Sequence, residues 1–193
     1  MVFRGRIRTS TRRTFSRIQI VTATQIDILK TAVDWAKAEM FSSMFFAIVG
    51  LLFLLASFGF WQFGKTAMAK AYVIPLLVAG GLLVIIGVGL IISNQMRLST
   101  FPDAFGTDAA AFVAAEIDRA ERTIASYQNV VFKAIPIIIV ICAALVLFLK
   151  SPVWQASLVV VIAMMAVIML VDTNASTRLE SYWDQLLLAA AQK

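Results

Sequence analysis

Four apolar runs dominate the chain from residue 40 onward. Residues 40–64 and 71–96 carry no charged side chain, residues 130–149 carry Lys133 alone near their start, and residues 151–171 carry none. Each run is about 20 residues or longer, the length a helix needs to cross a hydrocarbon core about 30 Å thick. Around these runs the pattern changes to helical amphipathicity. Ile26, Leu29, Val33, Ala36 and Met40 recur at steps of three and four, and Val113, Ile117, Ala120, Ile124 and Tyr127 repeat the rhythm. Each series gives one apolar seam of the kind that packs in coiled-coil fashion. Beyond the fourth run, Leu179, Tyr182, Trp183, Leu186 and Ala190 keep a partly apolar face.

These patterns predict an all-α integral membrane protein. Its four transmembrane helices form two helical hairpins, and amphipathic helices form a cytoplasmic layer. The organisation reads as one unit used twice. A basic tail, residues 1–23, precedes a first half, 24–98, with spans at about 42–63 and 72–94. A linker at 99–107, containing Pro102 and Gly106, leads to a second half, 108–193, with spans at about 130–149 and 152–171 and a C-terminal helix. Thr24 with Asp27 can cap the first amphipathic helix, and Thr107 or Asp108 the second. Nothing breaks either amphipathic helix before its span, so each pair predicts one helix of about 35–40 residues projecting roughly 25 Å beyond the membrane. Pro75 and Pro152 fall in first turns, where proline is tolerated, whereas Pro136 predicts a kink just inside the third span.

Charge sets the expected orientation. The chain has 17 Lys and Arg, 11 Asp and Glu and a net charge of +6. Arg4, Arg6, Arg8, Arg12, Arg13 and Arg17 precede the first acid, Asp27, and account for the whole excess. All the basic residues except Lys65, Lys70 and Lys150 lie on one side of the predicted spans, together with every acid. The positive-inside bias then puts both termini and the central loop in the cytoplasm, as in a bacterial-type inner membrane, with Trp61 and Trp154 at the outer interface. The six arginines, interleaved with Phe3, Ile7, Phe15 and Ile18, suit the anionic cytoplasmic leaflet as a membrane-surface segment. The twin arginines Arg12 and Arg13 lack the apolar run an export signal requires. Beyond charge, nothing in the tail points to nucleic acid.

Candidate chemistry is sparse. At 61% hydrophobic residues and a mean hydropathy of +0.87, the chain could not cover a water-soluble surface. It has no histidine and a single cysteine, Cys142, in the third span, so neither a His/Cys metal cluster nor an internal disulfide can form. No base accompanies the serines and no Gly-rich phosphate loop is present, so neither an enzymatic role nor a cofactor is expected. Glu116 with Arg119, and Asp118 with Arg122, are spaced for surface ion pairs worth a few tenths of a kcal/mol. Gly80 and Gly87 share one face of the second span and suit close helix packing, within the chain or between copies. Phe45 and Phe53, in the Phe-rich first span, and Ile117 and Ile124 on the second amphipathic helix are candidate partner contacts, large apolar groups giving extensive contact.

The spans carry no intramembrane charge of the kind that marks ion or proton paths. Small four-span proteins of this architecture include immunity proteins against membrane-acting bacterial toxins and accessory subunits of membrane complexes, an analogy of architecture alone. The expected function is a non-catalytic membrane protein acting by contact, with lipid and another membrane protein, or copies of itself, as partners. The alternative is a homo-oligomeric channel or pore-forming effector.

Overall fold

The structure is a computed structural model; it describes the backbone of residues 7–191 and the side chains of residues 27–191. The described chain is almost entirely helical. In order come α1 (Ile7–Phe63), the short α2 (Ala67–Ala71), α3 (Val73–Thr107), α4 (Ala109–Ser126), a π-helical segment (Tyr127–Ala134), α5 (Ile135–Phe148) and α6 (Pro152–Ala191). Four stretches, Asp27–Phe63, Ala67–Thr107, Ala109–Phe148 and Pro152–Ala191, are long and apolar enough to cross a membrane. At 37 to 41 residues each, they run about 55–60 Å, nearly twice a bilayer core.

The extra length forms a second packing layer at one end. Ala32, Trp35 and Ala36 of α1, Phe101 of α3, Phe112, Val113 and Ala120 of α4, and Leu179, Tyr182 and Leu186 of α6 form one buried core. Leu29, Val33, Ile117, Ile124 and Tyr127 pack around it, so both amphipathic seams turn toward a common centre. This is the head of the molecule.

Along the apolar lengths, α1 and α3 lie antiparallel and very close. Ala36, Ser43, Gly50 and Ser57 recur every seven residues on α1, and Gly80, Gly87 and Asn94 do so on α3, all of them buried. A Cβ on Gly50 would stand 2.8 Å from the Gly80 carbonyl oxygen, and one on Gly80 would stand 2.8 Å from that of Gly50. A Cβ on Gly87 would come within 2.6 Å of the Ala47 nitrogen. In lipid, apolar side chains gain little by leaving the solvent, so backbone-to-backbone packing through small residues supplies much of the association. The seven-residue repeat keeps this stripe on its partner by a left-handed supercoil. At the far end the Ser57 hydroxyl donates to the Val73 carbonyl at 2.7 Å, and Phe60 stacks on Tyr72.

The second pair is looser. Cys142 and Ile135 are the buried positions of α5, which packs on α6, while α6 also reaches α1, α2 and α3. Leu76 and Ala79 meet Val160 there. The membrane part is thus a tight α1–α3 pair, a central α6 and an α5 on its flank.

Three expectations about boundaries change. Residues 99–107, expected as a linker, are helical, and the chain breaks at Asp108 instead (φ −153°, ψ 97°), whose carboxylate caps α4 by accepting from the nitrogens of Ala110 and Ala111. Pro102 sits inside α3 because Phe101 and Phe105 are held edge-on against Phe112, and that packing outweighs the lost backbone bond. Pro136 produces a widened helix rather than a sharp break: the Ile135 N–H bonds the Val130 carbonyl five residues back. This π-helical turn accommodates the clash a proline ring makes with the carbonyl four residues earlier. Finally, no helix start occurs at Thr24, since α1 is already helical from Ile7.

Candidate functional site

The concentration of polar chemistry lies in the head, around Trp35. The seam of α1 turns Trp35 inward between Ala32 and Ala36. One ring face stacks on Tyr182 of α6, with centroids 5.1 Å apart and planes 10° from parallel. The Arg119 guanidinium of α4 stands 4.5 Å from the ring centroid, and that of Arg97 from α3 stands 5.9 Å away. Cations over an indole face gain about 1–2 kcal/mol when partly desolvated.

Glu116 closes this arrangement. Arg119 donates through Nε to Oε1 at 3.0 Å and through Nη2 to Oε2 at 2.6 Å, and the Tyr182 hydroxyl donates to the same Oε2 at 3.0 Å. Trp35, Arg119, Glu116 and Tyr182 therefore form a ring of contacts joining three helices. Burial first, and the Glu116 carboxylate second, hold the Tyr182 hydroxyl well above the ordinary tyrosine range. The expectation that Glu116–Arg119 is a surface pair is corrected here: Glu116 is buried. Its neighbour Asp118–Arg122 fits that description, with side chains 63% and 74% exposed.

A second polar knot lies nearer the apolar section. Arg178 of α6 donates through Nη2 to the Ser42 hydroxyl at 2.6 Å and to Glu39 at 3.4 Å. Between this knot and the Trp35 ring runs an α1–α6 groove of about 380 Å³. Its walls include Thr31, Asp34 and Trp35 of α1, and Ser181, Arg178 and Gln185 of α6. Trp35 Nε1 and Arg178 Nε are buried and have no hydrogen-bond partner among the described residues, a costly state for any donor removed from water.

The residues singled out from sequence do not gather at one site. Gly80 and Gly87 pack on the α1 backbone within the same chain. Ile117 and Ile124 pack against the head core, and Phe53 against the Leu76–Ala79–Val160 cluster. Phe45 remains on the open face of α1, edge-on to Phe41 at 5.6 Å. Arg4 and Arg6 lie outside the described residues; Arg8, Arg12, Arg13 and Arg17 lie on helical backbone, and their side chains are outside the described set. Sequence reading missed Trp35, Tyr182 and Arg178 as interacting groups. Trp35 and Tyr182 belong to amphipathic stretches, but no local spacing links residues so far apart in the chain. Gly50 was also missed, although its seven-residue spacing from Ser43 and Ser57 was available.

The apolar helices place the chain in the class of helical membrane proteins. No protein-family model, curated protein or solved structure matches it.

Proposed function

We propose that this is a non-catalytic membrane protein that works by contact within the bilayer, as an inhibitor of the immunity type or an accessory subunit. In this reading α1–α3 and α5–α6 are two membrane hairpins, and the head with both termini faces the cytoplasm of a bacterial inner membrane. The observation that carries it is how the head uses its ionisable groups. Glu116, its buried acid, is engaged by Arg119 and Tyr182 and joins helices, while large rings are left on the outer face of α1. Phe41, Phe45, Phe58 and Phe63 are all exposed there, and such rings give partner helices broad contact at small entropic cost.

Purification of the intact complex from its host in mild detergent is expected to bring down a second membrane protein in fixed ratio. Phe41→Ala with Phe45→Ala should remove it without lowering thermal stability. A ring of identical subunits conducting ions in liposomes would instead favour the channel reading. That reading loses one support, because Gly80 and Gly87 are occupied by α1 of their own chain.

Orientation has its own expected result. With Cys142 replaced by Ala, a cysteine at Thr66 should react with an impermeant maleimide on intact cells, and one at Thr107 should react only after lysis. The opposite labelling pattern sinks the cytoplasmic-head assignment.

A further inference from the structure

Two faces of the head carry exposed charges of opposite sign that belong to no ion pair among the described residues. The first is a groove of about 440 Å³ between α4 and α6, with Ile124, Ala125 and Trp183 among its walls. Its charged residues are all acidic: Glu121, Glu180 and Asp184, each of them exposed and outside the ion pairs of the head. The second face is on α1, where Lys30 and Lys37 are exposed, unpaired and seven residues apart, hence on one side of the helix. The nearby acids Asp27 and Asp34 border grooves on the α6 side of α1, so the outward face presents the lysines.

The two faces cannot meet within one chain. α1 packs on α3 and α6, and α4 packs on the same two helices, which puts α1 and α4 at opposite corners of the head. A neighbouring copy can bring them together, because they stand at the same depth. Trp35 meets both Arg119 and Tyr182. From these three, two residues toward the apolar section lead to Lys37, Glu121 and Glu180, all on one level. Asp184 lies two residues the other way, between the levels of Lys30 and Lys37. Copies inserted in one bilayer share one orientation and one depth, so this match is kept between neighbours.

We propose that the outward face of α1 in one copy docks in the α4–α6 groove of the next, with Lys37 between Glu121 and Glu180 and Lys30 toward Asp184. The docking rests on the membrane reading above, which sets the common depth. Lysine suits both parts of the groove: its stem covers apolar surface while its ammonium reaches the acidic edge. Anionic lipid, by contrast, would be repelled by the three carboxylates. Since the two faces differ, the contact is head-to-tail and generates a ring or a row of copies.

The test is cross-linking of the full-length protein in isolated membranes with a short bismaleimide, Cys142 being replaced by Ala. A chain carrying Lys37→Cys and Glu121→Cys should give a ladder of dimers, trimers and larger species. Either substitution alone should leave monomers, and co-expression of the two single variants should stop at dimers. On the double-cysteine background, Lys30→Glu should weaken the ladder about tenfold through like-charge contact. Adding Asp184→Lys should restore it, which a folding defect would not allow. Absence of a ladder, dimers from Lys37→Cys alone, or indifference to charge reversal overturns the proposal. So does a cross-link from Glu121→Cys alone to a chain of different mass, since the groove would then hold a foreign partner. Recovery of the chain outside the membrane fraction would bring down the membrane reading itself. Membrane insertion without cross-linking brings down only the self-docking.

Discussion

Valine at position 80 is expected to destabilise the detergent-solubilised protein by about 3 kcal/mol, whereas valine at position 81 changes it by less than about 0.5 kcal/mol. The two glycines are adjacent and equally apolar in setting, so composition and propensity predict similar effects. Geometry separates them. A Cβ on Gly80 meets backbone atoms of α1, the Gly50 carbonyl at 2.8 Å and the Leu54 nitrogen at 3.0 Å, while one on Gly81 meets nothing within 4 Å among the described residues. Backbone cannot swing aside as a flexible side chain does. Relief requires moving α1 from α3, and that separation costs the dispersion contacts on both sides of the new gap. Gly87→Val should behave like Gly80→Val, and Gly89→Val like Gly81→Val, because Gly89 also faces open space. The unfolding midpoint in mild detergent, followed by circular dichroism, measures all four. Equal midpoints for the substitutions at 80 and 81 would mean that α1 and α3 are not in backbone contact.

Glu116→Ala is expected to cost about 3 kcal/mol, and Asp118→Ala less than about 0.5 kcal/mol. Both acids belong to α4 and both pair with an arginine of the same helix. Removing the Glu116 carboxylate strands the Tyr182 hydroxyl in the head core and leaves the Arg119 guanidinium, 20% exposed, without its counter-ion. Removing Asp118 leaves Arg122 in water. Glu116→Gln should fall between the two, since an amide oxygen can still accept one bond but the charge is gone. The near-UV circular dichroism of the stacked Trp35–Tyr182 pair gives a local readout beside the melting midpoint. If Glu116→Ala and Asp118→Ala melt together, the ring of contacts around Trp35 does not hold the head.

The two parts of the molecule were unequally legible in the sequence, for physical reasons. The seam Val113, Ile117, Ala120, Ile124 and Tyr127 predicted the inward face of α4 residue by residue, and it packs in the head core, because helical periodicity is a local property. The four apolar lengths were legible for the same reason. Residues 99–107 were misread because Pro102 and Gly106 are strong local breakers, and what overrides them is contact between Phe101, Phe105 and Phe112. Glu116 looked like a surface acid because its i,i+3 partner is visible in the sequence while Tyr182 is not. Gly50 stands at seven-residue spacing from Ser43 and Ser57, a visible signal, but that spacing does not say which helix the stripe meets, and Gly80 supplies the answer only in the fold. The groove beside Trp35, built from residues of α1 and α6, had no signal in either segment alone.

The order in which the chain is made has a bearing on the head. The contacts between Gly50 and Gly80, and between Ala47 and Gly87, join α1 and α3, the first two long helices, so this pair can assemble while the rest is still being translated. The head cannot. Its core requires Leu179, Tyr182 and Leu186, near the end of the last helix, and until they arrive Trp35, Phe101 and Phe112 lack their cover. A nascent or C-terminally shortened chain would thus present a well-joined membrane pair carrying an open aromatic surface, the kind of exposed apolar patch that proteases and chaperones select. Completion of α6 is the step that hides this surface, which makes head closure a built-in check that translation has passed Leu186.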